Sequence, residues 1–309
     1  MQPPMTHRPY AGEADYQRIR AFLQSIFALQ GPCPRITIGD LDYWRFQQPD
    51  PAASIQPCGL WQGSNAALLG FAWPGLEHNG TGIIDLSVHP DSAELLEPML
   101  IWSEAWLHQA MPAATARLDV TTSALEHNAA LIALLTARGW ARTDSSHQYR
   151  EQSLASFVPA GVLPAGYTIR HVEEDDDSAP LAALNNLARP GPELTPATYR
   201  ALMGAPTYRR ELNLIVCAPD ATFAAFCILW YDDVTRAGLF EPIACHPAHQ
   251  RKGLATAIMR EGLRRLEQRG ATRALVGTSG RNEAANALYE SLGFRATERK
   301  WYWQKTISR

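Results

Sequence analysis

The 309-residue chain lacks long apolar segments and has few cysteines, and both shortages restrict the class of protein. No apolar run approaches the ~18 residues of a membrane span, and the first residues lack the cationic and apolar stretches of a signal peptide. The cysteines are odd in number and scattered, which argues against a disulfide framework and against CxxC-type zinc sites. They are Cys33, Cys58, Cys217, Cys227 and Cys245. We therefore expect a soluble cytoplasmic protein with reduced thiols and no membrane partner.

Net charge is also small, at −3, which argues against a nucleic-acid binder. Residues 1–155 contain nine Lys+Arg, all of them arginine, against fifteen Asp+Glu. Residues 156–309 contain nineteen against sixteen, so the second half is the better candidate to bind a polyanionic cofactor. The nine histidines show no metal-ligand spacing, and we predict no metal site.

Length and composition favour two globular domains. At the usual domain size, 309 residues suggest two domains that can each bury a core. Hydrophobic residues make up 46% and charged residues 19%, which excludes a mostly disordered chain. Residues 153–166 are rich in Pro and Gly and poor in charge. They are predicted to be a linker between a domain of residues 1–152 and one of residues 167–309.

The second half alternates β-rich and helical patterns. A strand at Tyr167–Val172 and an acidic helix start at 173–177 precede a helical segment at Leu181–Ala188. Three antiparallel strands, a long helix, a strand, a capped helix and one or two closing strands are predicted next. They are Asn213–Ala218, Thr222–Tyr231, Ala237–Cys245, Gly253–Arg269, Ala274–Thr278, Asn282–Leu292 and Phe294–Gln304.

The first half repeats this order, which indicates a duplicated domain. A strand, a long helix and another strand are expected at Ile83–Val88, Leu95–Ala110 and Leu118–Thr122. In both halves an Asn, at 128 and at 282, is followed eleven positions later by Gly and then by an aromatic residue. An Asn N-cap, three helical turns and a Gly C-cap explain this spacing. Its use twice in the same order of elements predicts two copies.

The segment Gln250–Thr256 combines the features of a phosphate-binding turn. It is basic, contains Gly253 where the backbone must turn, and lies between a strand and a helix. Backbone amides at such a turn, with a helix N-terminus behind them, can bind phosphate oxygens. The segment is neither a Walker loop nor GxGxxG. From physics alone an ordinary solvated loop is an open alternative.

Two motifs here resemble those of the GCN5-related N-acetyltransferase (GNAT) superfamily. Gln250-Arg-Lys-Gly-Leu-Ala255 is similar to its Q/R-x-x-G-x-G/A signature, and the segment from Asn282 to Phe294 is similar to its N-x-x-A-x-x-L-Y-x-x-x-G-F segment. The match covers about residues 239–294, and the strand order extends it to about 165–309. The resemblance implies an α+β fold of two tandem GNAT-like domains. Each would be a mixed twisted sheet flanked by helices, with the first a degenerate copy.

The resemblance also implies acetyl-CoA as co-substrate and a small-molecule or peptide amine as acceptor. It places the pyrophosphate on the signature loop, the pantetheine arm beside the preceding strand, and a helix cap near the thiol. The residues so implied are Gln250, Arg251, Lys252, Gly253, Leu254, Ala255, Thr256, Ile243, Ala244, Cys245 and Asn282. Pro242 cannot donate to a sheet ladder and predicts a bulge or an opening between strands.

Direct acetyl transfer needs a base for the amine and an acid for the departing thiolate. The resemblance places Tyr289 at the position of the acid, and a phenol with a pKa of about 10 is a neutral donor. Glu241, on the strand before the loop, is the candidate base, because its apolar neighbours would raise its pKa. Asp232 and Asp233 are reserve candidates.

Other functions and assemblies stay open at this stage. The alternatives are a non-catalytic acyl-CoA sensor and an acyltransferase with a longer acyl donor or a hydroxyl acceptor. A monomer and a homodimer are both compatible with the sequence.

The first half lacks the groups that carry this chemistry. When the halves are aligned on their shared His-Pro and Asn-to-Gly segments, Leu96, Ile84 and Leu135 occupy the positions of Gly253, Glu241 and Tyr289. A leucine in place of the turn glycine, with two glutamates nearby, disfavours a phosphate site. We therefore expect the first half to be structural.

Overall fold

The structure is a computed structural model that describes residues 5–31, 36–48, 50, 51, 55, 57–77, 80–113, 115–155, 161–189 and 193–309. The strands are β1 (Thr6–Pro9), β2 (Gly59–Gln62), β3 (Leu68–Leu76), β4 (Gly82–Val88), β5 (Arg117–Leu125), β6 (Ala141–Ser153), β7 (Thr168–His171), β8 (Asn213–Cys217), β9 (Phe223–Asp232), β10 (Ala237–Cys245), β11 (Arg273–Ser279) and β12 (Arg295–Ser308). The helices are α1 (Glu13–Gln30), α2 (Ile38–Phe46), α3 (Leu96–Ala110), α4 (Ala129–Ala137), α5 (Ser178–Ala188), α6 (Pro196–Met203), α7 (Leu254–Gln268) and α8 (Glu283–Ser291).

These strands form one mixed sheet in the order β1-β2-β3-β4-β5-β12-β6-β11-β10-β9-β8-β7. Strands of the first half occupy one end and strands of the second half the other. The pairs β4–β5 and β10–β11 are parallel, while the strands predicted to be antiparallel, β8, β9 and β10, are so. The mixed sheet predicted for each half is confirmed, but the two sheets are continuous.

The sheets join because each half gives its last strand to the other. β6 pairs with β11, from Ser153↔Arg273 to His147↔Ser279. β12 pairs with β5 along nine residues and also with β6. The proposed domain limits at 152 and 167 therefore describe the order along the chain, and the sheet crosses them. Residues 156–160 of the predicted linker lie outside the described residues.

Matching caps show that the halves share local geometry as well as element order. Asn128 and Asn282 each accept a hydrogen bond from the amide three residues ahead, at 3.1 Å in both cases. His89 and His246 each accept one from the amide two residues ahead, at 3.3 and 3.1 Å. The predicted Asn caps are thus confirmed, and the second pair of caps supports the duplication.

The two halves also share an ion pair that no sequence motif indicates. In each half an arginine on the first strand donates two hydrogen bonds to an aspartate seven residues later: Arg8 to Asp15 at 2.6 and 2.5 Å, and Arg170 to Asp177 at 2.8 and 2.5 Å. Each guanidinium lowers the pKa of its aspartate. The acidic run at 173–177 therefore supplies an ion pair as well as the start of a helix.

The helices of the first half pack partly on the second half. Phe27 of α1 and Tyr43 of α2 are buried in the same apolar cluster as Trp230 of β9. Asp42 is fully buried and accepts hydrogen bonds from Tyr16 and Arg20 of the first half and from the Thr207 amide of the second half, the last at 3.0 Å. α2 thus lies at the junction between the halves.

Two expectations from composition concern membranes and thiols. In the part of the chain that the structure describes, no helix has the length and apolar character needed to cross a bilayer. Four cysteines of the described residues, Cys58, Cys217, Cys227 and Cys245, form no disulfide, and Cys33 lies outside the described residues.

Candidate active site

The site begins where β10 and β11 separate. The two strands pair in parallel from Ala237↔Arg273 to Phe240↔Val276, where their register ends. On its other side, β10 shifts its register against β9 between Phe240 and Ile243, across Pro242. The irregularity predicted at Pro242 is confirmed. The backbone of residues 243–245 faces an opening instead of β11.

This opening belongs to a cleft of about 840 Å³ between the ends of β10 and β11 and the starts of α7 and α8. Both candidate catalytic residues, Glu241 and Tyr289, line it. Ten of the eleven residues implied in cofactor binding line it too: Ile243, Ala244, Cys245, Gln250, Arg251, Gly253, Leu254, Ala255, Thr256 and Asn282. The fold therefore brings together residues that are up to 48 positions apart, from Glu241 to Tyr289.

Lys252 is the exception among the eleven. Its ammonium donates a hydrogen bond to the Tyr167 hydroxyl at 3.0 Å, and that hydroxyl is 2.9 Å from Nδ1 of His249. Lys252 thus ties the loop to the chain just before β7.

The start of α7 is an open turn. Arg251 has φ +60° and Gly253 has φ +76°, in the left-handed region that favours glycine. Gly253 is the N-cap and supplies no side-chain cap. The amides of residues 254–256 have no acceptor within the helix. A Cβ at 253 would meet no atom within 4 Å, so the space beside Gly253 is free. A glycine turn at a helix N-terminus with unbonded amides is the geometry that binds phosphate groups.

The equivalent place in the first half lacks the open turn. A short 3₁₀ turn at Pro90–Leu95 leads directly into α3, and the Leu96 amide donates to the Ala93 carbonyl. Leu96, Ile84 and Leu135 are all buried, so none is free to act as its counterpart does. A smaller cleft of about 330 Å³ remains there. The sequence predicted from Leu96 that the first half has no phosphate turn. The structure shows why: the backbone there forms a 3₁₀ turn and not the left-handed turn found at Gly253.

Glu241 lies where the two strands separate, with 28% of its side chain exposed. Its Oε1 accepts a hydrogen bond from Nη2 of Arg189 at 3.0 Å, and Nη1 of Arg189 donates to the Tyr43 hydroxyl at 3.3 Å. Burial raises the pKa of Glu241, Arg189 partly offsets this, and the charge of Asp40 adds to it. The upward direction agrees with the sequence-based expectation for a base.

Tyr289 is buried on α8, with its ring centroid 6.1 Å from that of Phe294. Burial raises the pKa of its phenol, and the negative charge of Glu241 acts in the same direction. The phenol therefore stays protonated at neutral pH. Packing on the core and proton donation into the cleft are compatible for this side chain.

Comparison with known proteins agrees with the motifs and this geometry. Residues 181–294 match the model of the acetyltransferase (GNAT) family. The similarity to this family thus lies in the second half of the chain. The chain is 43% identical over 68 residues to the [ribosomal protein bS18]-alanine N-acetyltransferase of Escherichia coli strain K12, which is 22% of this chain and 46% of that protein. The namesake from Salmonella typhimurium is 41% identical over 97 residues, 30% of this chain and 62% of that protein. The chain thus spans about half the length of these curated relatives.

Solved GNAT structures share the fold along the whole chain. A GCN5-related N-acetyltransferase from Sphaerobacter thermophilus has a TM-score of 0.71 at 17% identity, covering 99% of this chain and 98% of the other. A tandem GNAT protein from the clavulanic acid biosynthesis pathway has a TM-score of 0.71 at 16% identity, covering 98% of both. At such identities the likeness establishes the fold, and the predicted tandem GNAT fold is confirmed.

Two ionisable residues that line the cleft were not selected from the sequence, Arg189 and His147. Arg189 follows α5 and lies 52 positions before Glu241. His147 belongs to the first half and reaches the cleft because β6 is exchanged. Burial lowers the pKa of His147 to about 3, so its ring is neutral at physiological pH. Neither residue lies in a motif, so no sequence signal pointed to them.

The reserve candidates for the base, Asp232 and Asp233, lie outside the cleft. Asp232 accepts hydrogen bonds from Gln24 at 2.9 Å and from the Thr235 amide at 3.1 Å, beside a different pocket. Asp233 is exposed and 3.4 Å from Arg209. Neither side chain lines the cleft that contains Glu241. Among the described residues, no group of three or more His, Cys, Asp or Glu side chains is arranged to hold a metal ion.

Proposed function

We propose that the protein is an acetyl-CoA-dependent N-acetyltransferase that transfers the acetyl group directly to an amine in a ternary complex. One observation carries the proposal: a single cleft holds the open turn at α7, the free edge of β10, Glu241 and Tyr289. The family match and the N-acetyltransferase activity of the relatives support the same type of reaction.

In this proposal the backbone binds most of the co-substrate. The amides of residues 254–256 take the diphosphate of acetyl-CoA at the helix N-terminus. The extended pantetheine arm pairs with the main chain of residues 243–245, on the side that β11 leaves free. Such a path leads from the turn towards Glu241 and Tyr289.

The two side chains divide the proton transfers. The Glu241 carboxylate accepts a proton from the acceptor's ammonium, and the free amine forms a C–N bond with the thioester carbonyl carbon. The C–S bond breaks, and Tyr289 donates its phenolic proton to the departing thiolate. After attack the nitrogen still has two protons, and it loses one of them to the Tyr289 phenolate, which restores the phenol. Glu241 releases its own proton to solvent. The products are the N-acetylated acceptor and CoA.

We predict that Gly253→Glu abolishes acetyl-CoA binding, because it adds bulk and negative charge in front of the turn. Acetyl-CoA at 100 times its Kd should stabilise the wild-type protein by about 2.7 kcal/mol, which a thermal-shift assay detects. Gly139→Glu is a matched control: Gly139 also has φ +76° and nothing within 4 Å of a Cβ, but it follows α4, away from the cleft. This variant should keep the ligand-induced shift.

Release of CoA in the presence of an amine panel tests the transfer itself. The panel contains amino acids, polyamines, aminoglycosides and peptides. A wild-type protein that shows no thermal shift at millimolar acetyl-CoA contradicts the whole proposal. Binding without CoA release on any amine would instead favour a non-catalytic acyl-CoA sensor.

A further inference from the structure

The proposed base, Glu241, already has a cationic partner within the cleft. Its Oε1 lies 3.0 Å from Nη2 of Arg189, and both residues line the same cavity. Their side chains are 28% and 34% exposed, so an acceptor in the cleft can reach both. An ammonium that delivers its proton to Glu241 therefore meets a guanidinium beside it. The acceptor must displace Arg189 or offer it another partner.

Arg189 is anchored so that it can stay in place while it changes partners. Nη1 donates to the Tyr43 hydroxyl at 3.3 Å, and Tyr43 is a buried residue of α2 in the first half. The contact with Glu241 uses one nitrogen and one oxygen. A carboxylate can meet a guanidinium through two parallel hydrogen bonds, so the present contact leaves part of the donor set unused.

We propose that the acceptor is an α-amino acid, whose ammonium binds Glu241 while its carboxylate binds Arg189. This inference rests on the proposed function and names its substrate class. The amine nitrogen and carboxyl carbon of an α-amino acid are about 2.5 Å apart. Oε1 of Glu241 and Nη2 of Arg189 are 3.0 Å apart, so an ammonium and a carboxylate joined through one carbon can contact both groups at once. Each side chain thus exchanges its partner for one charge of the zwitterion, and neither charge is left unpaired.

Acceptors without a carboxylate fit this pair less well. A polyamine would place a second cation beside Arg189 and remove the carboxylate that neutralises it, which is costly for a partly buried charge. A peptide N-terminus offers an amide carbonyl instead, and a neutral acceptor binds a guanidinium with roughly half the strength of a charged one. The Glu241–Arg189 ion pair thus favours an acceptor whose ammonium and carboxylate lie next to each other.

The test compares each acid with its own carboxamide. CoA release is measured with the twenty proteinogenic α-amino acids, with the carboxamide of every acid that is turned over, and with an alanine-initiated tripeptide amide. We expect at least one free amino acid to be a substrate. Its carboxamide should show a kcat/KM lower by roughly 10²-fold or more, because the site is built to bind the missing group.

Variants at Arg189 assign this preference to the guanidinium. Arg189→Gln also removes the ion-pair partner of Glu241 and so affects every acceptor, but it should lower kcat/KM for the acid roughly 10²-fold more than for the carboxamide. A merely structural defect would lower both equally. Arg189→Lys keeps the positive charge but cannot donate two parallel hydrogen bonds to a carboxylate. It should therefore recover part of the preference. Arg209→Gln is the control, because Arg209 belongs to the same half but lies outside the cleft. The acetyl-CoA thermal shift verifies that each variant is folded.

Several results overturn the inference and leave the proposed function intact. These are equal turnover of acid and carboxamide, a preference that survives Arg189→Gln, and CoA release only with amines or peptides that lack the α-carboxylate. If the wild-type protein neither binds acetyl-CoA nor releases CoA with any amine, the proposed function fails and this inference with it.

Discussion

Glu241 is the proposed base and Tyr289 the proposed acid, and burial raises the pKa of both side chains. The shift makes Glu241 a stronger base and keeps Tyr289 protonated as an acid. We predict that Glu241→Gln and Tyr289→Phe each lower kcat by about 10²–10⁴-fold. The Kd for acetyl-CoA should change little, because its proposed contacts are with the backbone. Steady-state kinetics and isothermal titration measure the two quantities.

The dependence on pH separates the two roles. Only the carboxylate form of Glu241 accepts a proton, so wild-type kcat/KM should rise as pH increases through its raised pKa. The defect of Glu241→Gln should shrink at high pH, where more acceptor is free amine. Glu261→Gln and Tyr231→Phe are controls, since both residues lie outside the cleft. Full activity of a Glu241 or Tyr289 variant at neutral pH would remove that residue from the mechanism.

Residues within motifs could be placed from the sequence, and residues that reach the site through the fold could not. Gly253 was predictable because few residues other than glycine adopt its positive φ. Arg189 ends a helix with no motif, and no pattern along that helix indicates which strand its side chain will face. Its contact with Glu241 depends on how α5 lies across the sheet, which is a tertiary property.

At the scale of elements, the starts of α7 and α3 make the main contrast between the halves. α7 begins at a left-handed turn with free amides. α3 instead continues a 3₁₀ turn, in which the Leu96 amide donates a hydrogen bond to the Ala93 carbonyl. A helix start whose amides are already bonded has little to offer a phosphate. We predict that one chain binds one acetyl-CoA, which isothermal titration of the intact protein should report as a stoichiometry near one.

The Gly253→Glu variant sharpens this prediction, because it should leave no residual site. A stoichiometry of two, or tight binding that survives the substitution, would mean that the 330 Å³ cleft of the first half still binds the ligand. Acetyl-CoA could then enter that cleft through main-chain pairing alone, without a phosphate turn.

The order of elements was predictable, while some of the links between them were not. The capped helices at Asn128 and Asn282 follow from local signals, since Asn N-caps and Gly C-caps act within one or two turns. The pairs Arg8–Asp15 and Arg170–Asp177 were missed, because each joins a strand to the residues just before or within a helix across a bend. An acidic residue at a helix start is already explained by its favourable interaction with the helix dipole. The sequence therefore offered no reason to expect an arginine partner on another element.

At the scale of the whole molecule, strand exchange makes each half depend on the other. Without the first half, β11 loses β6 and the cleft loses the wall that contains His147. We predict that residues 156–309 expressed alone do not bind acetyl-CoA and tend to aggregate through the exposed edge of β11. Gel filtration and the acetyl-CoA thermal shift measure both properties.

Co-expression of residues 1–155 with residues 156–309 is the matched experiment, since it breaks one peptide bond and keeps every strand. The two fragments should co-purify as a one-to-one complex and recover the thermal shift. An isolated second fragment that is monomeric and binds as tightly as the intact chain would contradict the dependence.

The exchange itself could not be predicted from the sequence. β6 and β12 both follow a capped helix, a glycine and an aromatic residue, so local signals describe two equivalent strands. Which strand borders β5 is decided by side-chain packing across the sheet. Trp303 of β12, for example, is buried in the apolar cluster of the first half. A pattern along one strand does not identify its neighbour when two similar strands compete for the same place.

The exchanged strands also constrain the order in which the chain can fold as the ribosome makes it. β5 ends at Leu125 and β12 begins at Arg295, so about 170 residues must be added before the strand that borders β5 exists. At 5–20 residues per second this takes roughly 10–30 s. During that time the edge of β5 is open to pairing with other nascent chains. The half that is synthesised first is therefore completed by a strand of the half that is synthesised second.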